Sequence, residues 1–569
     1  MAIVAALPVL SVLYLVLRYA IPIPLLDDWE MIPIITRARE GGLTFAQLFE
    51  QQQEARTLFP KLIFLLFSLG KHWDSRVAMM FSLLLCCLTA IGILCLLRRS
   101  GLSKTSVVVT FLLSVLLIFS PAQHELWLLA SGFPSFIPGL CVVWGLCAVQ
   151  SQLSMAKKFW LCVAAAVFAS FTLANGLLVW SLTFPVLFTV QRDRRDLRWL
   201  GWWVVAGGIC AVMYFWHYRP QPDLPRFGPP KPIFDYFQYV AAFLGSGLGR
   251  SGYGQPLTTS LAVGALILFG FFAAVIYSVR RCIERDFCRR VVPWIAIAAY
   301  AVMSGVLAAL GRIEWGVAQA LESRYVAFSL FGAVGLIALI AIAAESLARK
   351  IQNRGGRSVL VAGVAALAGI VLVLHVMCAT SSVSLFALRS AATRMGQGGV
   401  LFSQVLDTSK SIIAANYPRP DFVRANAEAL DRLHMLRTPL VRTTRINDLR
   451  HSETEGSATG WLDGLVVKEN VASAWGWAAL PAKGRPADCV ILAYEDHLGE
   501  WIAVAASSAV VARGDVAREV HNVAQLWSGW QAEFSTAGLP KGARISAWGL
   551  DAKEAKLYRL KSPAAAPTL

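Results

Sequence analysis

Charge is scarce in this chain: Asp, Glu, Lys and Arg make up 15% of its 569 residues, and 56% are hydrophobic. The apolar runs from residue 77 onward are nearly free of ionisable side chains. That argues against a transporter, whose ion and proton pathways place such groups at mid-membrane. Cysteines form no disulfide framework and no zinc spacing: most of the eleven lie in or beside apolar runs, Cys282 and Cys288 share a loop, and Cys489 stands alone near the C-terminus. The N-terminal run lacks a basic leader and a small-x-small cleavage site, so it reads as a retained anchor. The formal charge of +17 does not point to nucleic acid, because the basic residues are concentrated in short loops between apolar runs.

What is present is a series of apolar runs of roughly 15–22 residues, near the length that crosses a bilayer. They fall at 1–26, 77–97, 105–119, 136–150, 159–174, 177–190, 199–216, 257–279, 291–310, 325–344 and 358–378. The expected fold is a polytopic α-helical membrane protein of about 11 transmembrane helices. Alternate loops carry Arg98, Arg99 and Lys104; Lys157 and Lys158; Arg192, Arg194, Arg195 and Arg198; Arg280, Arg281, Arg285, Arg289 and Arg290; and Arg349, Lys350, Arg354 and Arg357. The positive-inside rule puts those loops in the cytoplasm and the others outside. The first outer loop is the exception, with Arg37, Arg39, Arg56, Lys61, Lys71 and Arg76.

Within that loop, Gly41-Gly42 stops one short helix and Thr44-x-x-Gln47 forms a capping box that opens the next. The apolar stretch 58–69 is too short for a span and reads as a surface or re-entrant helix. Three domains are expected: a transmembrane module with outer loops at 1–380, an extracytoplasmic helical linker at 381–455, and a small β-sandwich at 456–569. The linker is helical over 382–449 with Pro418 and Pro420 breaking it, then polar over 451–457. The sandwich is read from short alternating strands at 489–494, 501–505 and 544–548 between Gly, Asp and Pro. Its tryptophans, Trp461, Trp475, Trp477, Trp501, Trp527, Trp530 and Trp548, fit either core packing or a glycan-binding surface.

On this topology the polar residues flanking the helices collect on the outer side. They are Asp27, Asp28, Glu30, Glu54, Arg56, His72 and Asp74; His124, Glu125 and Trp127; Asn175; and Glu314, Glu322 and Arg324. Singly, each fits a solvated helix end or a turn; together, beside Trp29, Trp127 and Trp315, they fit a cleft. Nucleotide-activated substrates are not ordinarily available on that face, so an enzyme there would take its activated donor from the membrane. A polyprenyl-phosphate sugar meets this requirement. Its chemistry needs a carboxylate to take a proton from the acceptor hydroxyl and cations to hold the phosphate leaving group. Asp27 or Asp28 would be the base, and adjacent acids repel, which raises the pKa of one of them. Arg56 and Arg324 would contact phosphate, and His124 with Glu125 would orient the acceptor or bind phosphate.

The run Asp27-Asp28-Trp29-Glu30, then Gly41-Gly42-Leu43-Thr44, then Gln53-Glu54-Ala55-Arg56-x-x-Phe59-Pro60 resembles the multi-pass GT-C glycosyltransferases, and most closely a large bacterial group among them. That group usually has Asn-Glu-His-Arg ahead of Phe-Pro; here Glu54 and Arg56 are kept and Gln53 and Ala55 depart. Phe119-Ser120-Pro121-Ala122-Gln123, Ala174-Asn175-Gly176-Leu177, Phe243-Leu244-Gly245-Ser246 and Ser323-Arg324-Tyr325 also look similar, and the resemblance covers about residues 1–449. It implies sugar transfer from a polyprenyl-phosphate donor to an envelope glycan, lipid or protein at the outer face of the bacterial cytoplasmic (inner) membrane, with membrane lipids as surroundings. By the same analogy Asp27 and Asp28 act as base or bind the acceptor. The substrate-binding set would be Glu30, Glu54, Arg56, His124, Glu125, Trp127, Asn175, Glu322, Arg324 and Tyr325. The family leaves a divalent metal open. Two other classes stand beside this reading: a non-catalytic envelope scaffold that binds glycan through the sandwich, and a lipid or glycan transporter.

Overall fold

The computed structural model describes residues 2–190, 196–219, 231–251, 254–280, 285–408, 413, 417–452, 459–480 and 483–562. The basic-loop residues Arg192, Arg194, Arg195 and Arg281, Cys282, the outer-loop stretches 220–230 and 252–253, and linker residues 453–457 lie outside them. The chain divides into two compact units, each discontinuous in sequence. The first comprises Met1–Ala20, Leu43–Phe67 and Arg76–Phe386; the second comprises Ile21–Gly42, Ser68–Ser75 and Ala387–Leu569. Two pieces of the first outer loop, Ile21–Gly42 and Ser68–Ser75, thus group with the C-terminal region.

The first unit is helical: α1 (Ala2–Tyr19), α2 (Ser75–Arg99), α3 (Lys104–Ile118), α4 (Ile137–Val149), α5 (Met155–Ser170), α6 (Leu197–Phe215), α7 (Ile233–Gly249), α8 (Pro256–Arg280), α9 (Arg285–Arg312), α10 (Val326–Lys350) and the first part of α11 (Arg354–Phe402), whose residues from Ala387 on belong to the second unit. Among the described residues, eight helical stretches are long and apolar enough to cross a membrane. The expected runs at 1–26 and 159–174 form helices of only 18 and 16 residues. The run at 177–190 breaks into Val179–Leu182 and Val186–Val190. Thr183 leaves the helical region there, at φ −117° and ψ −95°, and Pro185 has no N–H to continue the ladder. Basic residues end α2, α8 and α10, where cations complement the helix dipole. The Thr44–Gln47 capping box forms as the sequence indicates: Thr44 N–H donates to Gln47 Oε1 at 3.0 Å and Gln47 N–H to Thr44 Oγ1 at 3.4 Å. Lys61, on the short helix Leu58–Phe67, closes the other end of that helix by donating to the carbonyls of Gln47, Leu48 and Glu50.

Helix α7 lies in a stretch expected to be an outer loop. It packs on α8 through small residues: a Cβ added at Gly245 would sit 1.9 Å from the Ser260 carbonyl oxygen, and one at Gly264 would sit 1.7 Å from that of Ala241. The two helices therefore touch backbone to backbone, the contact that small residues permit.

The second unit contains the short helix Ile32–Arg39, α12 (Pro420–Arg432) and ten strands. The strands are β1 (His451–Ser452), β2 (Thr459–Lys468), β3 (Val471–Leu480), β4 (Arg485–Pro486), β5 (Cys489–Glu495), β6 (Trp501–Ser507), β7 (Ala509–Val511), β8 (Gly529–Ser535), β9 (Ile545–Asp551) and β10 (Lys556–Arg559). One sheet runs β1-β10-β9-β5-β6 and the other β2-β3-β8-β7, with β4 beside β3. Leu462, Leu480, Trp530 and Phe534 of the second sheet share a core with Val490, Leu492 and Ala547 of the first. The other face of the first sheet, carrying Ile491, Trp501, Trp548 and Leu550, is covered by Leu401 and Phe402 at the end of α11 and by Val441 and Ile446. Asp488, wholly buried, holds Arg485 bidentately, pairs with Arg394 of α11 at 3.3 Å and accepts the Ala552 N–H at 2.9 Å. The two early segments are tied in locally. Helix Ile32–Arg39 packs on α12, Trp73 N–H donates to the Met435 carbonyl at 2.8 Å, Arg437 pairs with Asp74, and Arg432 pairs with Glu40 at 2.7 Å.

Candidate functional site

In the second unit, Leu26–Met31 winds into a 3-10 turn after Leu25, with Leu26 in the left-handed region at φ 48°. Asp28 is wholly buried, and its carboxylate accepts the Leu25 N–H at 3.1 Å, so it closes the turn it belongs to. Trp29 is buried beside it, and Asp27 is half-buried on the turn. Glu30 accepts a hydrogen bond from the Tyr417 hydroxyl at 2.9 Å, and the Arg419 guanidinium donates to the same hydroxyl at 2.8 Å. Burial raises the Tyr417 phenol above its ordinary range, so it stays protonated and donates. The bond to Tyr417 in turn raises Arg419.

In the first unit, the ends of α6 and α9 and the start of α7 gather polar groups. Glu54 forms an ion pair with Arg312 at 2.6 Å, and its carbonyl accepts from the hydroxyls of Tyr214 (3.2 Å) and Tyr218 (3.4 Å). Burial and then the Glu54 carboxylate raise Tyr218. The Arg312 guanidinium lies 4.7 Å over the Trp315 ring, and Lys231 pairs with Glu314 at 3.5 Å. Tyr239, on α7, lies within electrostatic reach of Arg312, Arg324 and Tyr325. Tyr325 packs on Phe243 with ring centroids 5.6 Å apart, and the Arg324 guanidinium lies 5.6 Å over the Tyr325 ring. Ser323 connects this loop to the His124 segment: its hydroxyl donates to the Ala122 carbonyl at 2.8 Å, accepts the Glu125 N–H at 3.2 Å and sits 3.1 Å from His124 Nδ1. His124 and Glu125 are thereby brought beside Arg324 and Tyr325. Asn175 is half-buried in the 3-10 turn Ala174–Leu178, and Glu322 is half-buried between two 3-10 turns.

Two expected ligand contacts are used inside the protein instead. Trp127 is wholly buried between Phe119 and Phe136, at 6.5 and 5.0 Å, and its indole N–H donates to the Ser120 carbonyl. No face of the ring is left for a ligand. Arg56 is buried, its guanidinium donating to the carbonyls of Phe49, Tyr214 and Trp216, and burial lowers its pKa. It therefore ties the first outer loop to the end of α6. Arg312, Tyr214, Tyr218, Tyr417 and Arg419 stand outside the motifs visible in the sequence. Arg312 could have been found as the cation that closes an apolar run just ahead of Glu314.

Among the described residues, no three His, Cys, Asp or Glu side chains gather as metal ligands. No protein-family model, curated protein or solved structure matches the chain.

Proposed function

We propose that the chain is a glycosyltransferase that moves a sugar from a polyprenyl-phosphate donor to an envelope glycan, lipid or protein on the extracytoplasmic face of the bacterial inner membrane. The observation that supports it best is the polar cluster at the helix ends of the first unit. There Arg312 and Arg324 are both within electrostatic reach of Tyr239, and Arg324 lies 5.6 Å over the Tyr325 ring, next to the His124–Ser323 contact. Two guanidinium groups and phenolic donors suit a phosphate leaving group, whose charge grows as the glycosidic bond breaks. In this reading Arg312 takes the phosphate-binding role that Arg56 is engaged too fully to fill. The base is assigned from the Asp27-Asp28 motif to Asp27, which is half-buried where Asp28 is wholly buried. In such a transfer the acceptor hydroxyl loses its proton to a carboxylate as its oxygen attacks the anomeric carbon, and the polyprenyl phosphate departs. Such a displacement inverts the anomeric configuration. The two-sheet region reads as a β-sandwich outside the membrane.

The test is transfer of radiolabelled sugar from a set of polyprenyl-phosphate donors to extracted envelope glycans and lipids by the purified protein. Asp27→Asn is expected to lower transfer by about 10²-fold or more. Arg324→Ala is expected to lower it by a similar factor through loss of charge stabilisation. A folded parent that transfers nothing from any donor would instead support the glycan-binding scaffold. Transfer indifferent to both substitutions would keep the enzyme and discard the site.

A further inference from the structure

The second sheet of the second unit has one face in the core and one face open, and three indoles stand on the open face. Trp461 of β2 pairs directly with Trp477 of β3, and Trp475 follows two residues before Trp477, so all three project from the same side. They are not core residues: Trp461 is 36% exposed, Trp475 is 40% exposed and Trp477 is half-buried. Trp530 and Trp548, by contrast, are sealed inside.

Glycines set how these rings lie. Gly464 is the register partner of Trp475, and a Cβ built on Gly464 would come within 2.4 Å of the Trp475 ring. The absent side chain lets the indole lie flat across β2, one face on the backbone and the other toward solvent. Gly529, the partner of Trp477 on β8, leaves its place to the stem of Arg513; an added Cβ there would sit 2.8 Å from Arg513 Cγ. The Arg513 guanidinium then reaches Asp463, at the β2 bulge, at 2.6 Å, and Asp515 at 2.7 Å. Next to the indoles on β8 are the exposed side chains of Gln531, opposite Trp475, and Glu533, opposite Ser473.

From this arrangement we infer that the open face of the β2-β3-β8-β7 sheet is a binding site for an uncharged glycan chain. A flat indole with one free face attracts the polarised C–H groups on the apolar side of a pyranose ring. Planar carboxylates, an amide and a guanidinium at its edge match the in-plane hydroxyls of the same ring. Three rings in a row suit consecutive sugar units better than a single monosaccharide. The charges around them nearly cancel: Asp463, Asp515 and Glu533 stand beside Arg513, which two of them engage, beside exposed Lys468, which shares the open face as the register partner of Val471, and beside exposed Lys561, the bridge partner of Trp461. A face without a net charge gives an anionic glycan or an anionic lipid surface no added attraction, and the stacking and in-plane hydrogen bonds that remain are those a neutral glycan uses. The ring over Gly464 also has a purely structural use, covering a strand glycine, and that use requires no ligand. The binding site stands independently of the transferase reading, since it is measured without any transfer.

The experiment is titration of the full-length protein with cellohexaose, maltohexaose and chitohexaose, followed by calorimetry and by tryptophan emission. The detergent must carry no sugar headgroup, which would compete. At least one oligosaccharide is expected to bind with a Kd below about 1 mM. Trp475→Ala is expected to weaken binding at least about tenfold, and Trp475→Tyr, which keeps an aromatic face, by less than about threefold. If Trp475→Ala fails to fold, Trp475→Tyr and the protection of the parent's exposed indoles from iodide by saturating sugar carry the test; absence of protection overturns the proposal. It is equally overturned if none of the three sugars binds up to about 10 mM, or if Trp461→Ala and Trp475→Ala bind as the parent does. A parent dimer that Trp475→Ala splits, read by light scattering, would also overturn it, since the face would then join two copies of this chain.

Discussion

Asp27 and Asp28 are neighbours with different surroundings, and the difference can be measured. Asp28→Ala takes the acceptor from a buried N–H at Leu25. An orphaned buried donor costs about 1–3 kcal/mol, so the variant should melt earlier and be cut faster by protease near residue 25. Asp27→Ala should leave melting close to the parent, because Asp27 is only half-buried. Tyr417→Phe removes the donor from the Glu30 carboxylate and the acceptor from Arg419. A hydrogen bond to a charged group is worth about 1.5–3 kcal/mol, and the loss should appear as a lower thermal midpoint in tryptophan emission. At this scale the sequence was informative about residue types and much less about their engagements. Arg56 and Trp127 stood in the right kind of motif, yet one is spent on three carbonyls and the other is packed between two phenylalanines. Backbone acceptors such as those of Tyr214 and Trp216 lie about 160 residues away, beyond what spacing can reveal.

Among elements, apolar length carried most of the information. Long runs such as Ser75–Arg99 and Val326–Lys350 were legible because composition alone distinguishes a membrane-length helix from a loop. Helix α7 was not, since its contacts with α8 rest on glycines and a serine whose value lies in what they lack. Gly264→Ala should therefore separate the pair: the new Cβ meets the Ala241 carbonyl, a rigid backbone atom, and overpacking of this kind costs about 1–3 kcal/mol or more. A lower melting midpoint of the detergent-solubilised protein would register it. The β5-β6 turn offers a pH test. The Asp496 carboxylate accepts the N–H groups of Glu500 and Leu498, both at 2.8 Å, and these hold its pKa below the usual carboxylate range. Its stabilising effect is present above the unfolded value of about 3.9 and is lost as pH falls through the lower folded value. Asp496→Ala should thus melt earlier than the parent at neutral pH, with the gap closing below about pH 3.

For the molecule as a whole, the topology we propose puts the C-terminus outside the cytoplasm, and alkaline phosphatase fused there should be active when the fusion is expressed in intact bacteria. Asp488 anchors both α11 and the sheets, so Asp488→Ala, which removes the buried carboxylate that Arg485 and Arg394 share, should cost about 3–5 kcal/mol. The discontinuity of the units was invisible in composition, because nothing in the Ile21–Gly42 stretch announces that its neighbours lie after residue 386. It has a consequence in time. Roughly 345 residues separate the end of that stretch from Ala387, and a ribosome adding about 5–20 residues per second needs about 20–70 s to make them. For that interval the helix Ile32–Arg39, with Ile32 and Ile35 buried in the finished fold, waits for α12, which is not yet synthesised. The newborn chain must pass this window sheltered by a chaperone or a lipid surface, and shortening the wait by faster elongation should raise the yield of folded protein.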